Sequence, residues 1–145
     1  MRILIAEDDR VSRTFLMQFM GTYGTCDAAV DGMETLDYFM DSVKRKEPYD
    51  LLCLDIMMPK VDGLRVLRVI RTLEAQREVR REDHLPIIMM TAITDSEHVD
   101  EAFRLGCDAY ASKPIDVDEV IGVMRELQLI DAFPASGEGG PQGGG

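Results

Sequence analysis

Four residues from three widely separated parts of the chain have the types that handle phosphate and divalent cations: Glu7, Asp8, Asp55 and Lys113. Asp55 ends the apolar run Leu51-Leu52-Cys53-Leu54 and precedes Ile56-Met57-Met58-Pro59-Lys60-Val61-Asp62-Gly63. A run of that kind between turn formers reads as a strand buried on both faces. Glu7-Asp8-Asp9 closes the stretch Arg2-Ile3-Leu4-Ile5-Ala6, and Lys113-Pro114 follows Ala109-Tyr110-Ala111-Ser112. The carboxyl ends of strands are where open α/β sheets bind their ligands. Carboxylate oxygens suit a hard divalent cation, and a lysine among them suits a phosphoryl oxygen. An Asp after an apolar strand is by itself more often a turn former. Its company with Glu7, Asp8 and Lys113 points instead to metal-assisted uptake of a phosphoryl group.

The elements that must position these residues alternate regularly. Strands are predicted at 2–6, 25–30, 50–55, 86–91 and 107–112. Val11, Phe15, Leu16 and Phe19 recur at helical spacing, with Gly21 and Gly24 as breakers. Asp31 and Glu34 predict a capping box opening a helix through Leu36, Phe39, Met40 and Val43 to about Lys46. Leu64, Leu67, Ile70 and Leu73 mark a third helix. Thr94 and Glu97 predict a second capping box, for a helix with Val99, Ala102, Phe103 and Leu105 inward and Gly106 as its C-cap. Asp116 to Glu119 would cap a last helix that carries Val120, Val123, Met124 and Leu127 and ends near Ile130. Five β-α units in series predict an α/β fold with a doubly wound five-stranded parallel sheet, because right-handed crossovers allow little else.

Composition narrows the function. A chain of 145 residues can hold one domain with one sizeable core. A formal net charge of −11 argues against direct binding of nucleic acid, which needs clustered Lys and Arg. Cys26, Cys53 and Cys107 form an odd set without zinc-site spacing, and read as reduced thiols. The N-terminus is too short in apolar content and too soon acidic for a signal peptide. No apolar stretch is long enough to span a bilayer. The expectation is a soluble cytoplasmic protein with no membrane contact. The ten methionines read as gap-filling core, and His84 and His98 as surface residues. Glu74 to His84 has almost no apolar content and reads as a solvated, charge-alternating extension of the third helix, or as a partner-docking arm. Residues 131–145 are rich in Gly and Pro and are expected to form a flexible tail behind a domain at 1–130.

Over about residues 1–130 the landmarks resemble the CheY-like receiver domain of two-component response regulators. The pieces are Glu7-Asp8, Asp31-Gly32, Asp55 with Met57-Met58-Pro59 and Asp62-Gly63, Thr91-Ala92, Tyr110 and Lys113-Pro114. Each is weak alone; their order and strand-end positions make the combination specific. The resemblance implies the flavodoxin-like (βα)5 fold. It implies that Asp55 accepts a phosphoryl group from a histidine kinase or a phosphotransfer protein. Glu7, Asp8, Asp55 and the backbone carbonyl of Met57 would hold one Mg²⁺, with Asp9 outside the ligand set. Lys113 would meet a phosphoryl oxygen, and Thr91 would turn its hydroxyl toward the phosphate beside the small Ala92. Tyr110 would swing inward behind Thr91 and remodel the face of the fourth helix, fifth strand and fifth helix for a downstream protein target. The Lys113-Pro114 peptide would be cis. Phosphorylation-dependent homodimerisation is left open.

The departures from the family pattern are few. Arg10 stands where many relatives carry Pro, and Thr35 where a small Ala is common. Met57 and Ile93, each second after a key residue, are apolar and cannot orient an attacking water, which implies slow autodephosphorylation. The expectation is a stand-alone receiver, not an enzyme acting on external substrates, with a receiver fragment of a longer multidomain regulator or hybrid kinase as the alternative. An aspartyl-phosphate phosphatase or phosphotransferase would usually place a second acid where Met57 stands. A scaffold with a dead site is disfavoured by the complete residue set.

Overall fold

The computed structural model describes residues 1–92 and 96–131. Ile93, the Thr94-Asp95 part of the predicted second capping box and most of the predicted tail lie outside the described residues. The elements run β1 Arg2–Ala6, α1 Arg10–Met20, β2 Thr25–Ala29, α2 Gly32–Arg45, β3 Leu51–Asp55 and α3 Gly63–Gln76. A 3₁₀ turn Arg81–Asp83 follows, then β4 Ile87–Ala92, α4 Ser96–Leu105, β5 Ala109–Lys113 and α5 Val117–Glu126. All strand pairs are parallel and the sheet order is β2-β1-β3-β4-β5. This is the doubly wound sheet expected from the sequence, with its topological reversal between β1 and β3.

Side chains alternate across each strand, so the sheet has two buried faces. Leu4, Leu52, Leu54, Ile87 and Met89 pack on one side against Phe39 of α2, Leu67 and Ile70 of α3 and Ala102 of α4. Ile3, Ile5, Leu51, Cys53, Ile88 and Met90 pack on the other against Leu16 and Met20 of α1 and Val120 and Met124 of α5. Carboxylates set the starts of four helices. Asp9 accepts the Ser12 N–H at 2.9 Å, Asp31 the Glu34 N–H at 2.8 Å, Asp62 the Arg65 N–H at 2.9 Å and Asp116 the Asp118 N–H at 2.9 Å. The Glu34 carboxylate reaches Val30 N–H at 3.1 Å, one residue earlier than a regular capping box. Gly106 ends α4 at φ +103, a conformation that a side chain would strain. The last helix stops at Glu126, four residues before the predicted end.

Three parts of the sequence reading are corrected. Val11 (78% exposed) and Phe15 lie on the outer side of α1, because the buried stripe is centred on Leu16 and Met20, about 100° round the helix. Met40 and Phe103 are likewise exposed, one residue off the inward stripes of α2 and α4. The segment from Glu74 is largely exposed, as expected of a solvated, charged stretch, but it continues α3 only as far as Gln76, and Glu74 itself is only 3% exposed. Its Oε2 accepts the Leu85 N–H at 2.7 Å and its Oε1 accepts from Arg71 Nη1 at 2.7 Å. Arg71 also donates to Gly106 O at 2.9 Å and Asp108 Oδ2 at 3.0 Å. A buried carboxylate is tolerable when it is paired and fully bonded, and this one ties α3 to the start of β4 and to the turn before β5. His84 belongs to the same knot, with Nδ1 3.8 Å from Glu74 Oε1 and Nε2 3.1 Å from Val79 O.

Candidate functional site: an acidic crevice at the carboxyl ends of the strands

Register brings the singled-out residues together. Ala6 pairs with Leu54, so Glu7 and Asp55 leave neighbouring strands at the same level. Asp55 pairs with Met90, Thr91 with Ser112 and Ala92 with Lys113. The ends of β1, β3, β4 and β5 therefore open into one crevice.

Glu7 is fully buried and Asp55 is 4% exposed, whereas Asp8 is exposed at the rim. One carboxylate oxygen from each of Glu7, Asp8 and Asp55 lies within 4.8 Å of the others. The Lys113 ammonium sits between the two buried acids, 2.5 Å from Glu7 Oε1 and 3.2 Å from Asp55 Oδ2. Among the described residues this ammonium is the partner of Glu7 Oε1. Glu7 Oε2 accepts the Asp9 N–H at 3.1 Å. The backbone of the acid pair is fixed by Arg13, whose Nη1 donates to Glu7 O at 2.9 Å and to Asp8 O at 3.2 Å. The sequence reading missed Arg13; its position one turn into α1, four residues after the Asp9 cap, was the available signal.

The electrostatics follow from this crowding. Burial, then the hydrogen bonding and negative charge of Glu7, push the Asp55 carboxyl up to about 7, and Lys113 only partly offsets them. Burial alone would lower the Lys113 ammonium pKa, but Glu7 and Asp55 more than reverse that and raise it. Asp9, occupied with Ser12, is held below its ordinary value, mainly by that backbone N–H. Its role is to cap α1.

The remaining predicted residues surround this centre. Met57 is 61% exposed beside Asp55, and its N–H lies 3.3 Å from Asp55 Oδ1. Thr91 is buried, and among the described residues its hydroxyl makes a long bond, 3.3 Å to Ala92 O. Ala92 is exposed. The Lys113-Pro114 peptide is cis. Tyr110 faces outward, 42% exposed, edge-on to Phe103 at 5.9 Å. A cavity of about 640 Å³ separates Thr91 and Ala92 from Tyr110 and reaches Glu97, Asp100 and Glu119. The ligand atoms grouped at the crevice, one from each of Glu7, Asp8 and Asp55, are all carboxylate oxygens. That fits Mg²⁺, which takes carboxylate, carbonyl and water oxygens.

A five-stranded parallel sheet with acids at the β1 and β3 ends and a lysine at the β5 end defines the receiver class of signalling domain. The family model "Response regulator receiver domain" matches residues 3–125, and the chain belongs to that family. Among relatives, it is 35% identical over 128 residues to the response regulator MprA of Mycobacterium avium, covering 88% of this chain and 50% of that protein. It is 29% identical to histidine kinase 1 of Arabidopsis thaliana, covering 93% of this chain and 13% of the kinase. The chain thus spans about half the length of the response regulator and a small part of the kinase. In fold it is similar to the receiver domain of Saccharomyces cerevisiae Ssk1, crystallised with the histidine phosphotransfer protein Ypd1. That match has a TM-score of 0.75 at 20% identity and covers 92% of this chain and 94% of the other. Among the described residues, no helix is long and apolar enough to cross a membrane.

Proposed function

We propose that this chain is a phosphoacceptor whose receiver unit, residues 1–130, takes a phosphoryl group onto Asp55 from a phosphohistidine on a kinase or phosphotransfer protein. The observation that supports this most is the Lys113 ammonium set between the buried carboxylates of Glu7 and Asp55. An Asp55 oxygen attacks phosphorus, the P–N bond breaks, and the imidazole departs with its electron pair, leaving an aspartyl phosphate. Two anions that must meet need positive charge between them. Glu7, Asp8, Asp55 and the Met57 carbonyl would hold Mg²⁺, which supplies that neutralisation. A cation held there would favour the ionised form of Asp55, the nucleophile. Lys113 then exchanges one carboxylate contact for a phosphoryl oxygen.

The weakly held Thr91 hydroxyl turns toward the new phosphate, vacating space that Tyr110 can enter through the adjoining cavity. The exposed Phe103–Tyr110 pair and the α4-β5-α5 face are thereby altered, a two-state element biased by a local change of charge. The reader of that face is a protein target in the cytoplasm, and no nucleic acid is required. The chain modifies itself once per cycle and does not turn over external substrates; an exposed Met57 stands where a hydrolase would need a general acid. A phosphotransfer protein as donor is supported by the Ypd1 complex of a similarly folded receiver. The partial coverage of MprA and of histidine kinase 1 supports a second reading, a receiver unit within a longer regulator or hybrid kinase.

Intact-mass spectrometry after incubation with acetyl phosphate tests the proposal. Wild type should gain one phosphoryl mass only with Mg²⁺, and Asp55→Asn should gain none. An equal gain in the variant, or in wild type without divalent cation, contradicts it.

A further inference from the structure

The loop from Ile56 to Asp62 carries Met57 and leads away from the acceptor. Its near end is fixed by the sheet: Ile56 N–H donates to Met90 O at 3.1 Å, and Gly63 N–H donates to Ile56 O at 2.8 Å. Gly63 is required there, since a Cβ would lie 2.1 Å from Asp55 O. The far end leans on a different element. Val61 O passes so near Gly32, the first residue of α2, that a Cβ on Gly32 would lie 1.9 Å away. One residue before each of these contacts, Lys60 Nζ meets Asp31 Oδ2 at 3.3 Å.

Both partners show signs of being held for a purpose. Lys60 adopts φ +68, a left-handed conformation that costs a non-glycine residue energy. Asp31 is 8% exposed and fully engaged. Its Oδ1 caps α2 through Glu34 N–H and its backbone carbonyl accepts the Thr35 hydroxyl at 2.7 Å. Asp31 is thus rigid, and the loop is clasped onto it through a charge pair and a glycine contact.

We propose that Lys60 and Asp31 are positioning residues that brace the β3–α3 loop against α2 and so fix the Met57 carbonyl for Mg²⁺. This rests on the reading of the acidic crevice as a Mg²⁺ site. Partners behind metal ligands set ligand orientation, and losing them commonly weakens metal binding about 10- to 100-fold. For a pair whose lysine is largely exposed, the expected loss is smaller, about 3- to 10-fold.

The pair allows bracing to be separated from charge. Were the effect only electrostatic, Lys60→Met would strengthen Mg²⁺ binding by removing a cation, and Asp31→Asn would weaken it by removing an anion. Bracing predicts weakening by both. Asn retains the capping oxygen, and Lys60→Gly relieves the positive φ while deleting the ammonium, so it separates backbone strain from the ion pair. Lys60→Arg should keep most of the wild-type affinity.

The experiment is calorimetric titration of the full chain with MgCl₂ for wild type, Lys60→Met, Lys60→Gly, Lys60→Arg, Asp31→Asn and the Lys60→Met/Asp31→Asn double variant. Melting temperatures are recorded alongside. The expected result is a loss of about 3- to 10-fold in the Met, Gly and Asn variants, with a double variant no worse than the weaker single. Stronger binding by Lys60→Met, or unchanged affinity in variants that only melt lower, overturns the brace. No Mg²⁺ binding by wild type would instead overturn the reading of the site itself.

Discussion

Replacing Asp55 by Asn should stabilise the metal-free protein, an unusual result for a buried polar residue at the centre of a site. Asp55 titrates near 7 in the fold against an ordinary value of 3.8, driven by burial and by Glu7. A carboxyl with a raised pKa holds its proton in the folded state and releases it in the unfolded state between these two values. Stability from this group is therefore complete below about pH 4 and is lost as pH rises through about 7. Three pKa units correspond to about 4 kcal/mol, of which about 2 kcal/mol is expected because Glu7 and Lys113 titrate and rearrange together with Asp55. An Asn amide carries no charge, donates to Glu7 and accepts from Lys113. At pH 8 in EDTA the variant should thus be about 2 kcal/mol more stable, a rise of about 6–10 °C in Tm for a domain of this size. The gap should shrink by more than half at pH 5. Urea denaturation followed by circular dichroism at the two pH values measures it. A variant that is no more stable than wild type at pH 8, or a gap that does not change with pH, would refute the electrostatic account of the crevice.

Three further outcomes are expected. Lys113→Met leaves two buried carboxylates facing each other and should cost about 2–3 kcal/mol at pH 8 in EDTA. That cost should fall in the Asp55→Asn background, which a urea double-mutant cycle reads out. Glu74→Gln cannot satisfy both Arg71 and the Leu85 N–H, and should cost about 2–3 kcal/mol without changing Mg²⁺ affinity. Met57→Ala removes the exposed side chain beside Asp55 and admits water, so the aspartyl phosphate should hydrolyse faster than in wild type when followed by loss of phosphoryl mass. An equal or slower rate would remove the shielding argument.

Much of the sheet was legible because its strands are buried on both faces and so appear as unbroken apolar runs, such as Leu51-Leu52-Cys53-Leu54. The crevice residues were legible for a related reason: a charge directly after such a run has few places to go except the strand end. Helix faces were less readable. Val11, Phe15 and Phe103 are apolar, but residue type does not reveal which side of a helix meets the sheet, and a shift of one residue turns the face by about 100°. Glu74 was misread because its burial depends on Arg71 and on a backbone N–H eleven residues away. No local pattern carries that information. The Lys60–Asp31 contact joins two loops and is likewise invisible until the parallel order of β1 and β3 sets α2 beside the β3–α3 turn.

The central claim is that Asp55 itself becomes the phosphorylated residue. The most direct measurement is borohydride reduction of the acetyl-phosphate-treated protein in the presence of Mg²⁺, followed by peptide mass mapping. Reduction converts an aspartyl phosphate to homoserine and marks its position in the chain. The account predicts homoserine at position 55 alone, absent when Mg²⁺ is withheld. Homoserine at Asp8 or Asp9, or 5-hydroxynorvaline at Glu7, with position 55 intact would contradict it.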